Sequence, residues 1–320
     1  MMLLTSPRTD AVNFPGETRQ CLRAVTYGSV VILSFLLSMP LPAGVPAFRK
    51  ADAFLFLQRQ CAFGPRVPGS KAHRRCLDFL ASELKKQTAN VSLQSFPVRD
   101  QARKMDVTLT NIIASFGKSG KRRLLFCAHW DSRRKADMDP VPANRSKPVP
   151  GANDGASGVA VLLEIARVLK SFPPAVRVDL VLFDGEDGGE EGQFSTWCLG
   201  SAHFAPRWPK ASYPDYAVLL DMVGGKDARL PIEANSRRYA PDVVSRVWGK
   251  ARSLGLRPFQ MTDGYEVVDD HMELIKVGIP AVDIIDLDYP FWHTTSDTPD
   301  KCSPESLEAV GTLLLHLIYE

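Results

Sequence analysis

Four short apolar runs set the frame of this chain. They are "RRLLFCAHWDS" from Arg122, "VRVDLVLFDGED" from Val176, "YAVLLDMVG" from Tyr216 and "PAVDIID" from Pro280. Unbroken apolar runs of this length, rich in Val, Leu and Ile, predict strands buried on both faces. Two earlier segments, "VSLQSFPV" from Val91 and "VTLTNIIASF" from Val107, alternate instead and predict half-covered strands. Apolar positions at three-to-four spacing predict helices between them. Two lie from Ala51 to about Lys86, separated by a Gly/Pro turn from Phe63 to Ser70. Others are "VAVLLEIARVLKSF", closed by Pro173-Pro174, "PDVVSRVWGKARSLGL" and a final "SPESLEAVGTLLLHLIY" with Ser303 as its N-cap. Buried strands alternating with helices predict an α/β fold: a mostly parallel central sheet flanked by helices on both faces.

Composition adds the scale. The 320 residues are 45% hydrophobic and 23% charged, enough for one large core, and no Pro/Gly/Ser linker divides them. A net charge of +3 is too mild to point to nucleic acid or an anionic membrane as partner. The N-terminus stands apart. Arg19 and Arg23 precede an apolar run from Val25 to Leu41, and Val45-Pro46-Ala47 offers small residues for signal peptidase. Residues 1–47 therefore read as a secretory signal, or as a membrane anchor if uncleaved, and residues 48–320 as the functional domain. Pro40, Pro42 and Pro46 shorten the run below the ~20 residues of a span, which favours cleavage and a periplasmic or secreted domain without a stable membrane partner. Five cysteines follow this segment; Cys61 and Cys76 are placed either to bridge the turn between them or to stay as buried thiols.

Chemistry concentrates just beyond the buried runs. After the first stands His129-Trp130-Asp131. "GANDGASG" holds Asp154 before the long helix, and Glu186-Asp187 follow the second run. Asp221 ends the third, and Trp292-His293 follow the fourth. Open α/β sheets bind ligands at the carboxyl ends of their strands. A single Asp there is ordinarily a turn or cap residue, but five such features on successive strand ends suit a divalent metal, zinc first. Asp154, Asp187 and His293 are best placed to hold it. Glu186 is adjacent to Asp187, so one of the two acids can bind metal while the other faces substrate. The His129-x-Asp131 spacing lets a carboxylate orient an imidazole.

In this order and context, the motifs resemble the zinc aminopeptidase-like superfamily from about Ala51 to Glu320. Within it, "STWCLGS", the Asp269-Asp270-His271 segment and "YPFWHTT" resemble the glutaminyl cyclases of animal type and their bacterial relatives. The resemblance implies one zinc per chain on Asp154, Asp187 and His293, and Glu186 as the catalytic acid/base. It also implies supporting roles for Asp221 and Asp270, and a substrate pocket at Trp292 with Phe291. The activity implied is cyclisation of an N-terminal glutaminyl residue of a peptide or protein to pyroglutamyl, with loss of ammonia. Two positions depart from the pattern: Asp187 where most members carry Glu, and Asp283 where the animal cyclases carry His. Two other readings stand beside this one. A two-zinc aminopeptidase would use His129 and Asp221 for a second ion bridged by Asp154. A non-catalytic peptide-binding ectodomain would keep only the fold.

Overall fold

The computed structural model describes residues 44–320 apart from Ala102, Ser119, Lys121 and Glu191. The apolar run read as a signal or anchor lies outside the described residues. No helix among the described residues is long and apolar enough to cross a membrane.

The two alternating segments form a hairpin. β1 (Val91–Asp100) pairs antiparallel with β2 (Met105–Phe116), from Val91 opposite Ala114 to Asp100 opposite Met105. The four apolar runs are β3 (Arg123–His129), β4 (Arg177–Phe183), β5 (Tyr216–Asp221) and β8 (Ala281–Ile285). The sheet order is β1-β2-β4-β3-β5-β8. β4, β3, β5 and β8 run parallel, and β2 joins β4 antiparallel. A separate two-stranded sheet holds β6 (Leu230–Ile232) and β7 (Phe259–Asp263).

Strand alternation sorts each run onto two faces. Leu124, Phe126, Leu180, Leu182, Val218 and Leu220 enter the larger core cluster, while Leu125, Cys127, Val181, Phe183 and Leu219 enter the opposite one. The larger cluster takes residues of α1 (Lys50–Cys61), α2 (Lys71–Lys85), α3 (Ala156–Ser171), α6 (Pro241–Ser253) and α8 (Pro304–Tyr319). The other is covered by α4 (Leu199–Phe204) and α7 (Asp270–Lys276) through Phe204 and Leu274. The remaining helix is α5 (Ala234–Tyr239). Ser303 caps α8 by accepting from Ser306 N. Cys61 and Cys76 are free thiols, so the bridge across their turn is not formed.

α3 sits close to the sheet because of Gly158. A Cβ there would lie 2.3 Å from Leu220 O and 2.9 Å from Ala128 Cβ. Gly→Ala in a helix ordinarily stabilises by about 1 kcal/mol. Here the added methyl meets backbone that cannot yield without moving β5. Gly158→Ala should therefore destabilise by about 1–3 kcal/mol, the cost of overpacking, measured by urea denaturation.

Candidate active site

The carboxyl ends of the parallel strands converge on one buried cluster. His129 is the last residue of β3, Asp221 the last of β5, and Glu186 and Asp187 lie just past β4. Asp154 sits in the turn entering α3, and His293 in the turn after β8. All six are buried. Asp154 lies between two histidines. Its Oδ2 is 3.7 Å from His293 Nε2, and its Oδ1 is 3.1 Å from His129 Nε2. Asp187 Oδ1 stands 3.3 Å from His293 Nε2, and Asp221 Oδ1 stands 3.2 Å from His129 Nε2.

Asp154, Asp187 and His293 thus form one three-donor cradle, and His129, Asp154 and Asp221 form another. Tetrahedral zinc with ligands at about 2.0–2.1 Å sets its donors roughly 3.3 Å apart. In the first cradle, of one nitrogen and two carboxylates, the two edges at His293 Nε2 are 3.3 and 3.7 Å, close to that length. Asp187 Oδ2 is buried and has no hydrogen-bond partner, a vacancy in bonding that a cation satisfies.

The surrounding residues hold this geometry. Asp131 accepts from Glu186 N at 3.2 Å and Asp187 N at 3.4 Å, and lies 3.6 Å from His129 Nδ1. It therefore fixes the loop after β4 and sets a negative charge beside the imidazole. Asp297 accepts from Asn153 N, Asp154 N and the Tyr289 hydroxyl, which ties the α3 turn to the His293 turn. Glu186 and Asp187, adjacent in the turn after β4, point to different partners. Glu186 faces Cys198 Sγ at 3.7 Å, while Asp187 faces His293. Met222, Cys198 and His293, each beside the cluster, all have positive φ of 48–54°. Such backbone is uncommon for non-glycine residues and persists where neighbours over-determine it.

The electrostatics are strongly coupled. Burial by itself lowers the His129 pKa, but Asp131, Asp154 and Asp221 crowded around the ring raise it well above its ordinary value. Burial and then the Asp154 charge push Asp187 up. Burial, followed by repulsion from Asp269, pushes Glu186 well above the carboxylate range. Carboxylates crowded out of water in this way favour a bound cation.

Asp270 Oδ1 accepts from the Ser201 hydroxyl at 2.5 Å. The acid grouped with Glu186 and Cys198 is Asp269. Asp269 is the N-cap of α7, in extended backbone, whereas Asp270 is already helical, so their side chains part. Burial and then Asp221 push Asp269 up to about 7. The departure at position 283 leaves a buried acid beside a histidine of α7. Asp283 is buried with both oxygens unpaired, and His271 Nδ1 lies 3.9 Å away, with His271 Nε2 3.4 Å from Glu233.

Two tryptophans frame His293. Trp292 stacks on its ring with centroids 4.1 Å apart, and Trp197 lies parallel to it at 6.4 Å. Phe291 packs edge-on against Tyr289. Trp197 carried no assigned role from sequence; only its place in "STWCLGS" marked it. A cavity of about 750 Å³ opens behind the same loop, between Gly185, Gly188 and the β1–β2 hairpin, and none of the cradle side chains lines it.

Buried acids and histidines gathered at the strand ends of a parallel sheet define a metal-dependent α/β enzyme. The chain belongs to peptidase family M28, which matches residues 111–318. A glutaminyl cyclase from Tannerella forsythia is 41% identical, with a TM-score of 0.82 over 86% of this chain and 99% of that one. A Zn-dependent exopeptidase from Parabacteroides distasonis is 38% identical, also with a TM-score of 0.82, over 86% and 99%. The glutaminyl-peptide cyclotransferase of Boiga irregularis is 25% identical over 67% of this chain, and the match spans 66% of that relative's length.

Proposed function

We propose that the chain is a zinc-dependent glutaminyl-peptide cyclotransferase acting on peptides or proteins with N-terminal glutamine. The observation that carries this reading is the indole of Trp292 laid over the His293 imidazole. It sets an apolar face against the imidazole of the first cradle, suiting a small uncharged side chain. The glutaminyl cyclase of 41% identity supports the same reading.

Zinc held by Asp154, Asp187 and His293 would supply Lewis-acid polarisation of the side-chain amide carbonyl. The remaining work falls to the protein. Glu186 takes a proton from the substrate α-amine as that nitrogen bonds to Cδ. It returns the proton to the amide nitrogen as the Cδ–N bond breaks and ammonia leaves. The nucleophile belongs to the substrate, so the pocket's contribution is to fix the cyclising conformation and exclude water that would hydrolyse the amide instead. Asp269, grouped with Glu186, and Asp221, against His129, hold the proton network around it. We place the enzyme in the periplasm or outside the cell, on the charged and apolar pattern of residues 1–47.

The second cradle supports one other reading. His129, Asp154 and Asp221 come close enough together to hold a further ion, as a two-metal aminopeptidase requires. Incubating purified protein with a Gln-initiated and a Leu-initiated peptide separates the two by mass spectrometry. The cyclase releases ammonia from the first and leaves the second intact. Removal of the first residue from either would make it an aminopeptidase.

Trp292→Ala should lower kcat/KM about 10- to 100-fold while zinc stays bound, the scale of losing roughly 1.5–3 kcal/mol of apolar cover. Kinetics measured beside thermal melting checks this. A large fall in Tm with normal kinetics would assign Trp292 to the core.

A further inference from the structure

His293 is held in its left-handed conformation from outside its own turn. Met138 N donates to His293 O at 3.2 Å. Asp139 Oδ2 accepts from Thr295 N at 2.9 Å and from the Thr295 hydroxyl at 2.6 Å. These bonds lay residues 137–139, in the loop between β3 and α3, alongside residues 293–295. Asp137 is thereby brought to the imidazole, with its Oδ1 3.5 Å from His293 Nδ1. The other ring nitrogen, Nε2, faces Asp187 and Asp154.

Asp137 is gripped in turn. Arg133 donates to it through Nε at 2.8 Å and Nη2 at 2.5 Å, a two-point fork. The same guanidinium is buried, reaches Asp187 O at 3.2 Å and Oδ1 at 3.4 Å through Nη1, and covers the Trp197 ring at 4.6 Å. Arg133 and Asp137 therefore link Asp187 to the far edge of His293.

We infer that Asp137, fastened by Arg133, is the positioning residue of His293: it holds the proton on Nδ1 and leaves Nε2 as the donor toward the cradle. This inference rests on the reading of Asp154, Asp187 and His293 as a metal centre. A carboxylate behind a ligating imidazole fixes both tautomer and ring orientation. The 3.5 Å separation is a charge contact, and a ring shift of about 0.5 Å closes it to a hydrogen bond. Asp137 is partly open to solvent but pairs with the buried Arg133, so Asp137→Asn, which keeps an oxygen for that guanidinium, disturbs the metal-free fold less than Asp137→Ala.

The test is zinc affinity, by competition with a chromophoric chelator, for the parent, Asp137→Ala, Asp137→Asn and His293→Ala, beside melting of each zinc-free protein. Asp137→Ala should bind zinc about 10- to 100-fold more weakly, a larger loss than any fall in zinc-free melting from the freed Arg133 accounts for. Asp137→Asn should fall between, because its amide oxygen still accepts from Nδ1 but lacks charge. Affinity of Asp137→Ala within about twofold of the parent overturns the inference. So does a loss matched by a fall in zinc-free Tm, which would make Asp137 only a loop clamp. If Asp137→Ala does not fold, Asp137→Asn decides on the same terms. Equal zinc binding by the parent and His293→Ala overturns the metal-centre reading itself, and the inference with it.

Discussion

Glu186→Gln is expected to keep its zinc and bind a Gln-initiated peptide while turnover falls by about 10²–10⁴, the usual scale for general acid–base catalysis. The substitution keeps the size of the side chain and its hydrogen bonding but removes the site for the amine proton. The geometry motivates this separation of effects. Glu186 points toward Cys198 and Asp269, away from the nitrogen of His293 that faces Asp187. Zinc content by metal analysis and kcat by ammonia release are the two measurements. Loss of zinc from Glu186→Gln would show that this acid, and not its neighbour, is the ligand.

His293→Ala is expected to leave no zinc after dialysis and no activity, because the cradle retains only two carboxylates of the three donors a catalytic site uses. The loss should also show in stability. A ligand that binds only the folded state, present at a thousandfold excess over its Kd, contributes about 4 kcal/mol, so added zinc should raise the Tm of the parent and not of the variant. Asp187→Asn should behave similarly but more mildly, with partial rescue by excess zinc, since an amide oxygen is a weaker ligand than a carboxylate. The parent should carry one zinc per chain. Two tightly held ions would mean that the His129, Asp154 and Asp221 cradle is also used, and would favour the aminopeptidase reading.

Much of the frame was legible in sequence because burial on both faces leaves a mark. β3, β4, β5 and β8 have helices against either side, so their residues are apolar without alternation, and the acids stand out where each run stops. Other features left weaker marks. β7 is short and largely exposed, with Met261, Thr262 and Asp263 open to solvent, so it reads as loop. The choice between Asp269 and Asp270 depends on where α7 begins, and a shift of one residue there redirects the side chain. Arg133 and Asp137 lie in a Pro-rich loop with no periodicity. Their importance comes from residues 293–295, to which only the folded chain brings them. Trp197 is of the same kind: nothing local distinguishes a tryptophan that lies against a distant histidine from one that fills a core.

The strand order has a consequence for how the protein reaches its working state. His129, Asp154, Asp187, Asp221 and His293 are spread over about half of the chain, and they meet only when β3, β4, β5 and β8 have all paired. Parallel pairing of this kind needs long crossovers to close first, which makes it slow to form. An early folding intermediate therefore holds no complete cradle, and the ion cannot template the search for the sheet. It arrives after the topology is set, when its effect falls on the rate at which the finished structure comes apart. Scarcity of metal would then yield protein that folds normally but survives less long.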